Sequence, residues 1–419
     1  MKIPAIQHTR LRPMRLVSTI QSIALLFGLS ASMLSAVEAS GQGQQDGNTE
    51  SMATALKPYI DRQDIAGAVT LVANKYAVVD REAIGYADLA SHKVMGVNDV
   101  FWIASMSKAI TATAVMMLVD EGKIGLDDPV EKYLPEFKGQ MVKGAEGGPP
   151  VPANHPITIR EILSHTSGLP FHSKIESGAL DRLPLRESVE SYAAEPLDSQ
   201  PGQVFTYSNE GFNTAGRIVE VVSGMPIEDF LQQRLFKPLG MRNTTFWPTK
   251  KELRRLATTY QADATGSRIL PVQIPSLTYP LDDHKHRFPH PAGGLFSTAD
   301  DVAHFCELLL NNGVFEGKRY LSVESVKLMT TKETGKLVSQ QYGFGWNIAG
   351  DSYEHGGADS TDMRIDEKSG LITIFLVQRT GTWDKEDRKK LMTSVEQAAN
   401  ALGSSTSTEG SHRKGFAIF

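Results

Sequence analysis

The sequence predicts an α/β fold of the α+β kind: an antiparallel sheet built from both chain ends, flanked by helices, with a large, mainly helical insertion. Three observations predict it. Strand-like runs stand near the start, "GAVTLVANK" from Gly67 and "AVVDREAIGYAD" from Ala77. Strand patterns return near the end, in "YGFGWNIAG", "TDMRIDEKSG" and "LITIFLVQRTG". Connections within each set are hairpin-length, which suits antiparallel pairing and is too short for parallel crossovers. The stretch between, from Ala104 to about Val222, reads as helices with long loops. With 419 residues, 41% of them hydrophobic, there is material for one large domain or two average ones.

The elements follow in chain order. Lys2, Arg10, Arg12 and Arg15 precede an uncharged run from Leu16 to Val37, and "SAVEAS" places Val37 and Ala39 at the small-residue positions of a cleavage site. Residues 1–39 read as a signal peptide cut after Ala39. An uncleaved membrane anchor and a transit peptide are the alternatives. The predicted location is therefore periplasmic or secreted, with no stable membrane association once the signal is removed. Residues 40–49 form a polar linker, and a domain over residues 50–403 follows. Its sheet part takes about 50–100 and 285–403, and the insertion about 101–284. An amphipathic helix is expected from Glu50 to Arg62. "GFNTAGRIVEVVSG" places Phe212, Ala215, Ile218, Val219 and Val222 on one helical face, with Gly224 as its C-cap. "STADDVAHFCELLLNNG" is capped by Ser297 or Thr298 and closed by Gly313. A charged amphipathic helix begins at Asp384, and residues 404–419 read as a disordered polar tail.

Composition excludes some functions. The net charge of -5 is small, and no basic stripe suits nucleic acid. Cys306, the one cysteine, sits among apolar helix positions and reads as a small buried side chain. "LDDHKHRFPH" gathers Asp282, Asp283, His284, His286 and His290, but the spacing fits no helical ligand pair. We read it as a polar loop lining a cleft, with no metal and no cofactor implied.

The chemistry concentrates elsewhere. In "FWIASMSKAITATAVMMLVDEGKIG", Ser105 stands three residues before Lys108, and an almost continuous apolar surface runs from Ala109 to Val119. A helix apolar all round is buried, and a lysine in its first turns needs a partner or a task. Positions i and i+3 point the same way, so a hydroxyl and an amine meet. On those residues alone an N-cap serine and a snorkelling lysine are the simpler reading. Three more stretches join them. "PGQVFTYSNEGF" holds Tyr207, Ser208 and Asn209 before a helix. "YEHGGADSTDMRI" places His355, Gly356 and Gly357 at a strand end, where paired glycines suggest close approach of another group. "LSHTSGLP" looks like a helix end and a turn that support the site.

Together these blocks resemble the serine β-lactamase and penicillin-binding-protein superfamily, whose pattern is Ser-x-x-Lys, a Ser/Tyr-x-Asn triplet and a Lys-Thr-Gly strand. The tyrosine form points to the class C side, which includes esterases and D-peptidases. The resemblance runs from about Lys57 to Leu402. It implies a β-lactamase/transpeptidase-like fold and an acyl-enzyme on Ser105, with a small-molecule or peptide acyl substrate. It makes Lys108 and Tyr207 the base system, both with pKa values lowered by their surroundings from about 10.4 and 10. Asn209 would hold Lys108 and a substrate carbonyl, and the Ser105 and Ala358 N–H groups would bind the oxyanion. His355 and Gly356 depart from Lys-Thr: a titrating ring replaces a fixed charge, and there is no hydroxyl. An exported hydrolase of small esters or amides is therefore expected. A D-Ala-D-Ala carboxypeptidase, a class C β-lactamase and a non-catalytic sensor are the alternatives. No G-x-S-x-G elbow supports a Ser-His-Asp hydrolase.

Overall fold

The computed structural model describes residues 51–176, 178–381 and 385–409. The strands β1 (Gly67–Asn74), β2 (Val78–Asp88) and β3 (Lys93–Val94) come from one end of the domain. The strands β4 (Asn347–Ala349), β5 (Ser352–Gly356), β6 (Asp362–Asp366) and β7 (Leu371–Val377) come from the other. They form one sheet in the order β4-β5-β6-β7-β1-β2-β3, antiparallel throughout. The ends meet where β1 pairs β7, Ala68 opposite Val377 and Val69 opposite Leu376.

Both central strands are buried on two faces, so their sequences read as apolar runs. Their period of two decides which face each residue serves. Ala68 and Val72 join Leu371, Phe375 and Val377 in a cluster with Met52 and Leu56 of α1 (Met52–Asp61). Leu391 and Val395 of the last helix, Lys385–Glu409, complete that layer. Val69 and Leu71, with Ile372, Ile374 and Leu376, turn to the main core, which holds Phe305 and Cys306 of the helix Ala299–Leu310. Cys306 is a buried free thiol, pushed up in pKa by burial.

The helix α2 (Ser107–Asp120) is buried from Ser107 through Leu118, as its all-round apolar sequence requires. It packs against α5 (Asn209–Ser223), which follows the shorter helices α3 (Ile159–Leu163) and α4 (Leu185–Ala194). Ser208 caps α5 by accepting the Gly211 N–H, and Gly224 ends it at φ 70°.

Three details differ from the sequence reading. The insertion also holds strands, including the pair Tyr260–Ala262 and Ile269–Pro271. Strands that short leave no alternating run to read. "YGFGWNIAG" is strand only over Asn347–Ala349; Gly345 sits at φ 81°, and a Cβ there would lie 2.8 Å from the Ala109 Cα at the start of α2. The last helix continues to Glu409, into the stretch read as a tail. The signal peptide, the linker and residues 410–419 lie outside the described residues. Among the described residues, no helix is long and apolar enough to cross a membrane.

Candidate active site

Ser105 lies in a single turn, Ala104–Met106, that leads into α2. The residues just before the turn are tied to the segment Gly293–Leu295. Ile103 N–H donates to Leu295 O at 3.0 Å, and the Trp102 indole donates to Gly293 O at 2.8 Å. Ala104 adopts φ 46°, a conformation a Cβ disfavours and one that packing must hold. The simpler reading of the motif fails here. The start of α2 has no side-chain cap, and the serine that serves backbone is Ser107, which donates to Ala104 O and accepts from Leu295 N–H.

Lys108 does not snorkel: its exposure is 0%. It donates to Asn209 Oδ1 and to Ala292 O, both at 2.7 Å, and its Nζ lies 3.3 Å from Ser105 Oγ. Asn209 opens α5 and Ala292 lies in the loop before the helix at Ala299, so three segments converge on one amine. All three partners are uncharged oxygens. Burial therefore pushes the Lys108 pKa well down with no countercharge to hold it up. In the neutral form two N–H bonds serve the two oxygens that can only accept, and the lone pair is then left for the Ser105 hydroxyl proton.

Tyr207 departs from expectation. Burial of its hydroxyl raises its pKa, and the hydrogen bond with Ser105 only partly offsets this. The predicted lowering needed a cation near the phenol oxygen. Lys108 Nζ instead stands 4.7 Å from the ring centroid, over the ring face, and desolvation drives it towards the neutral form. The arrangement thus offers one neutral base, Lys108, and one protonated phenol, Tyr207.

His355 and Gly356 end β5, where His355 pairs Met363 and Gly356 pairs Asp362. Gly357 packs against the serine turn: a Cβ there would lie 2.6 Å from Ile103 O and 3.3 Å from the Ala104 Cβ. That contact sets the Gly357–Ala358 backbone beside the segment carrying Ser105, and Ala358 is exposed. His355 is 1% exposed and burial lowers its pKa to about 3. It is neutral, not partly charged.

Several groups at the site went unread in the sequence. Ala292 contributes a backbone oxygen, which no residue type announces. His165, at φ 60°, accepts the Ser208 N–H on Nδ1 at 3.0 Å and lies 3.2 Å from the Tyr342 hydroxyl, which lies 3.2 Å from His355 Nε2. Their blocks, "LSHTSGLP" and "YGFGWNI", carried the signal of position without that of role. The histidine-rich loop does not assemble into one site. His290 is buried, with its pKa lowered to about 3; His286 bonds Asp283 at 2.6 Å; His284 stacks on Trp247.

Comparison with known proteins follows the same lines. A family model described as Beta-lactamase matches residues 52–397. The chain is 32% identical over 372 residues to Protein Rv1367c of Mycobacterium tuberculosis, covering 80% of this chain and 90% of that one. It is 31% identical over 315 residues to Penicillin-binding protein 4 of Amycolatopsis lactamdurans, covering 71% and 78%. Among solved structures it is similar to EstCE1, a hydrolase with promiscuous acyltransferase activity, with TM-score 0.70 and 24% identity, over 84% of this chain and 97% of that one. The last likeness concerns the fold.

Proposed function

Because the chain belongs to the Beta-lactamase family, we propose that it is an exported serine hydrolase that cleaves small esters or amides through an acyl-enzyme on Ser105. The observation that carries this is the buried Lys108 amine, its N–H groups committed to Asn209 and Ala292 and its lone pair left to the Ser105 hydroxyl. Lys108 takes the Ser105 proton as Oγ attacks the acyl carbon. The oxyanion that forms lies against the Ser105 and Ala358 N–H groups. Tyr207, a phenol beside Ser105, donates its proton to the leaving alcohol or amine and is reprotonated by way of Lys108. Water then attacks the acyl-enzyme by the same route in reverse. Asn209 directs Oδ1 at Lys108, which turns its amide nitrogen to the substrate carbonyl.

Esters are favoured over β-lactams because β5 presents no fixed positive charge and no hydroxyl for a carboxylate. A charge-assisted hydrogen bond is worth roughly 1.5–3 kcal/mol, so its absence weakens carboxylate-bearing substrates by about ten- to a hundredfold. A peptidase reading draws on the likeness to a putative D-alanyl-D-alanine carboxypeptidase of Salmonella agona, 26% identical over 402 residues. A sensor reading would suit a chain lacking part of the set, whereas Ser105, Lys108 and Tyr207 are all in place.

The test is a substrate panel with active-site labelling. A fluorophosphonate should label Ser105, located by peptide mapping. Acyl p-nitrophenyl esters should have a higher kcat/KM than D-Ala-D-Ala peptides and a chromogenic cephalosporin. Label on another serine, with Ser105→Ala still active, removes the assignment. A cephalosporin turned over better than every ester removes the substrate class. For export, N-terminal sequencing of protein from its host should start near Ser40.

A further inference from the structure

The substrate class just proposed depends on what His355 does, and its neighbours fix that from two directions. At one end stands a backbone amide. Ser208 N–H can only donate, and it donates to His165 Nδ1 at 3.0 Å. A neutral His165 therefore carries its proton on Nε2, which faces the Tyr342 oxygen at 3.2 Å. Tyr342, receiving that proton, turns its own O–H to His355 Nε2 at 3.2 Å. At the other end stands a backbone carbonyl. Gly356 O can only accept, and His355 Nδ1 lies 2.8 Å from it. His355 must then carry its proton on Nδ1 and offer a lone pair on Nε2, which is what Tyr342 supplies a proton for. The two deductions start from groups of fixed polarity at opposite ends and agree at the middle bond.

All three side chains are buried, at 0, 0 and 1% exposure for His165, Tyr342 and His355. The flanking walls are aromatic: Tyr207 and Phe212 pack at a tilt against His165, and Phe205 packs against both His165 and Tyr342. Two segments far apart in sequence are thereby joined: the one opening α5, with Tyr207 and Asn209, and the end of β5, with Gly357 and Ala358. A second proton on His355 would aim two N–H donors at the Tyr342 oxygen and leave the tyrosine O–H without an acceptor.

We propose that His165, Tyr342 and His355 form a one-way hydrogen-bond chain that locks His355 as the Nδ1–H tautomer, with both ring nitrogens spent on the protein, so that it positions the end of β5 and binds no substrate carboxylate. His355 and Tyr342 are thus positioning residues. The consequence for substrate rests on the ester-hydrolase reading above; the chain itself does not.

The measurement is nitrogen–proton correlation of the imidazole rings in the full chain with isotopically labelled histidine. His165→Gln and His355→Gln identify the two signals. His355 should show the Nδ1–H tautomer and His165 the Nε2–H tautomer, unchanged between about pH 6 and 8, where an ordinary histidine titrates. In Tyr342→Phe the His355 Nε2 signal should shift as that nitrogen loses its hydrogen bond, while Nδ1 keeps its proton on Gly356 O. The kcat for a p-nitrophenyl ester should fall about tenfold with KM nearly unchanged, since a shifted strand end is felt most as charge develops on the oxyanion. An Nε2–H tautomer at His355, or titration near neutrality in the wild type, overturns the proposal. So does a Tyr342→Phe protein whose His355 spectrum is unchanged. If that variant fails to fold, the wild-type spectra decide alone. If the spectra hold while Ser105 proves unlabelled, the hydrolase reading falls and the chain stands; if Ser105 is labelled and the spectra fail, only the chain falls.

Discussion

Two buried basic side chains meet opposite conditions. Arg287 is 2% exposed and Lys108 is 0% exposed. Arg287 Nε donates to Asp181 Oδ2 at 2.5 Å, and its Nη1 donates to Phe246 O and Leu281 O. Asp181, itself 1% exposed, also accepts from the Thr278 N–H and hydroxyl, each at 2.8 Å. Charge meets charge and further hydrogen bonds hold both groups, which is the condition under which a buried ion pair persists. Lys108 has only neutral oxygens around it. The first arrangement pairs one charge with another and joins two loops. The second drives a proton off its cation and leaves a base beside Ser105. Burial alone does not mark a chemical site; burial without a countercharge does.

Exchanging each basic side chain for methionine separates the two cases. Lys108→Met should lower kcat for an acyl ester by about 10²–10⁴-fold, the usual worth of a positioned base. Its effect on stability carries a sign fixed by linkage. The folded-state pKa of Lys108 lies well below 10.5, so between that value and 10.5 the unfolded chain binds more protons than the folded one. Wild-type stability therefore rises with pH across that window, through this group, and the variant lacks the rise. Urea unfolding at several pH values should show the stability of Lys108→Met relative to wild type declining as pH increases. A difference independent of pH would mean that Lys108 keeps its proton, and Lys108 would join Arg287 in the first class.

Arg287→Met should do the reverse. Removing one partner strands the Asp181 carboxylate and should cost about 3–5 kcal/mol, read as a lower urea midpoint, while the folded fraction keeps ester turnover within a few-fold. Adding Asp181→Leu should recover most of that loss, because an apolar pair can replace a buried ion pair. If the double variant is as unstable as the single, the pair's role is not charge compensation. If turnover collapses in a folded single variant, the loop it ties down belongs to the site.

The two cations were unequally legible in the sequence. Lys108 stood out because an apolar helix surrounds it and Ser105 lies one turn away, both local facts. The sheet was legible for a similar reason: β1 and β7 are apolar runs long enough to read as buried strands. Arg287 sat in a histidine-rich loop whose composition drew attention to metals, while its partner Asp181 lies 106 residues away. The His165–Tyr342–His355 chain spans separations of 177 and 13 residues, and the Ala292 oxygen belongs to the backbone. None of these leaves a pattern within a window of sequence. The Tyr207 shift was misjudged because its direction depends on where the lysine sits relative to the ring, a matter of ångströms and not of spacing.

The smallest effect belongs to the exposed counterpart in the same loop. Asp283 and His286 pair at 2.6 Å just before Arg287, with side-chain exposures of 25% and 65%. The carboxylate pKa is lowered, first by the His286 hydrogen bond and then by backbone amides. A lowered carboxylate stabilises the fold above its unfolded pKa, and the contribution is lost as pH falls through the folded value. Water and salt screen such a group, so the contribution is slight. Asp283→Asn keeps a side-chain oxygen for the Lys285 and His286 N–H groups, which hold the turn at 2.9 and 3.2 Å. It should therefore leave the urea midpoint at neutral pH and the ester kcat within experimental error. Raising ionic strength should not separate the variant from wild type. A midpoint loss approaching that of Arg287→Met would show that an exposed pair can matter as much as a buried one in this loop. The contrast would then lie in the loop's geometry and not in desolvation.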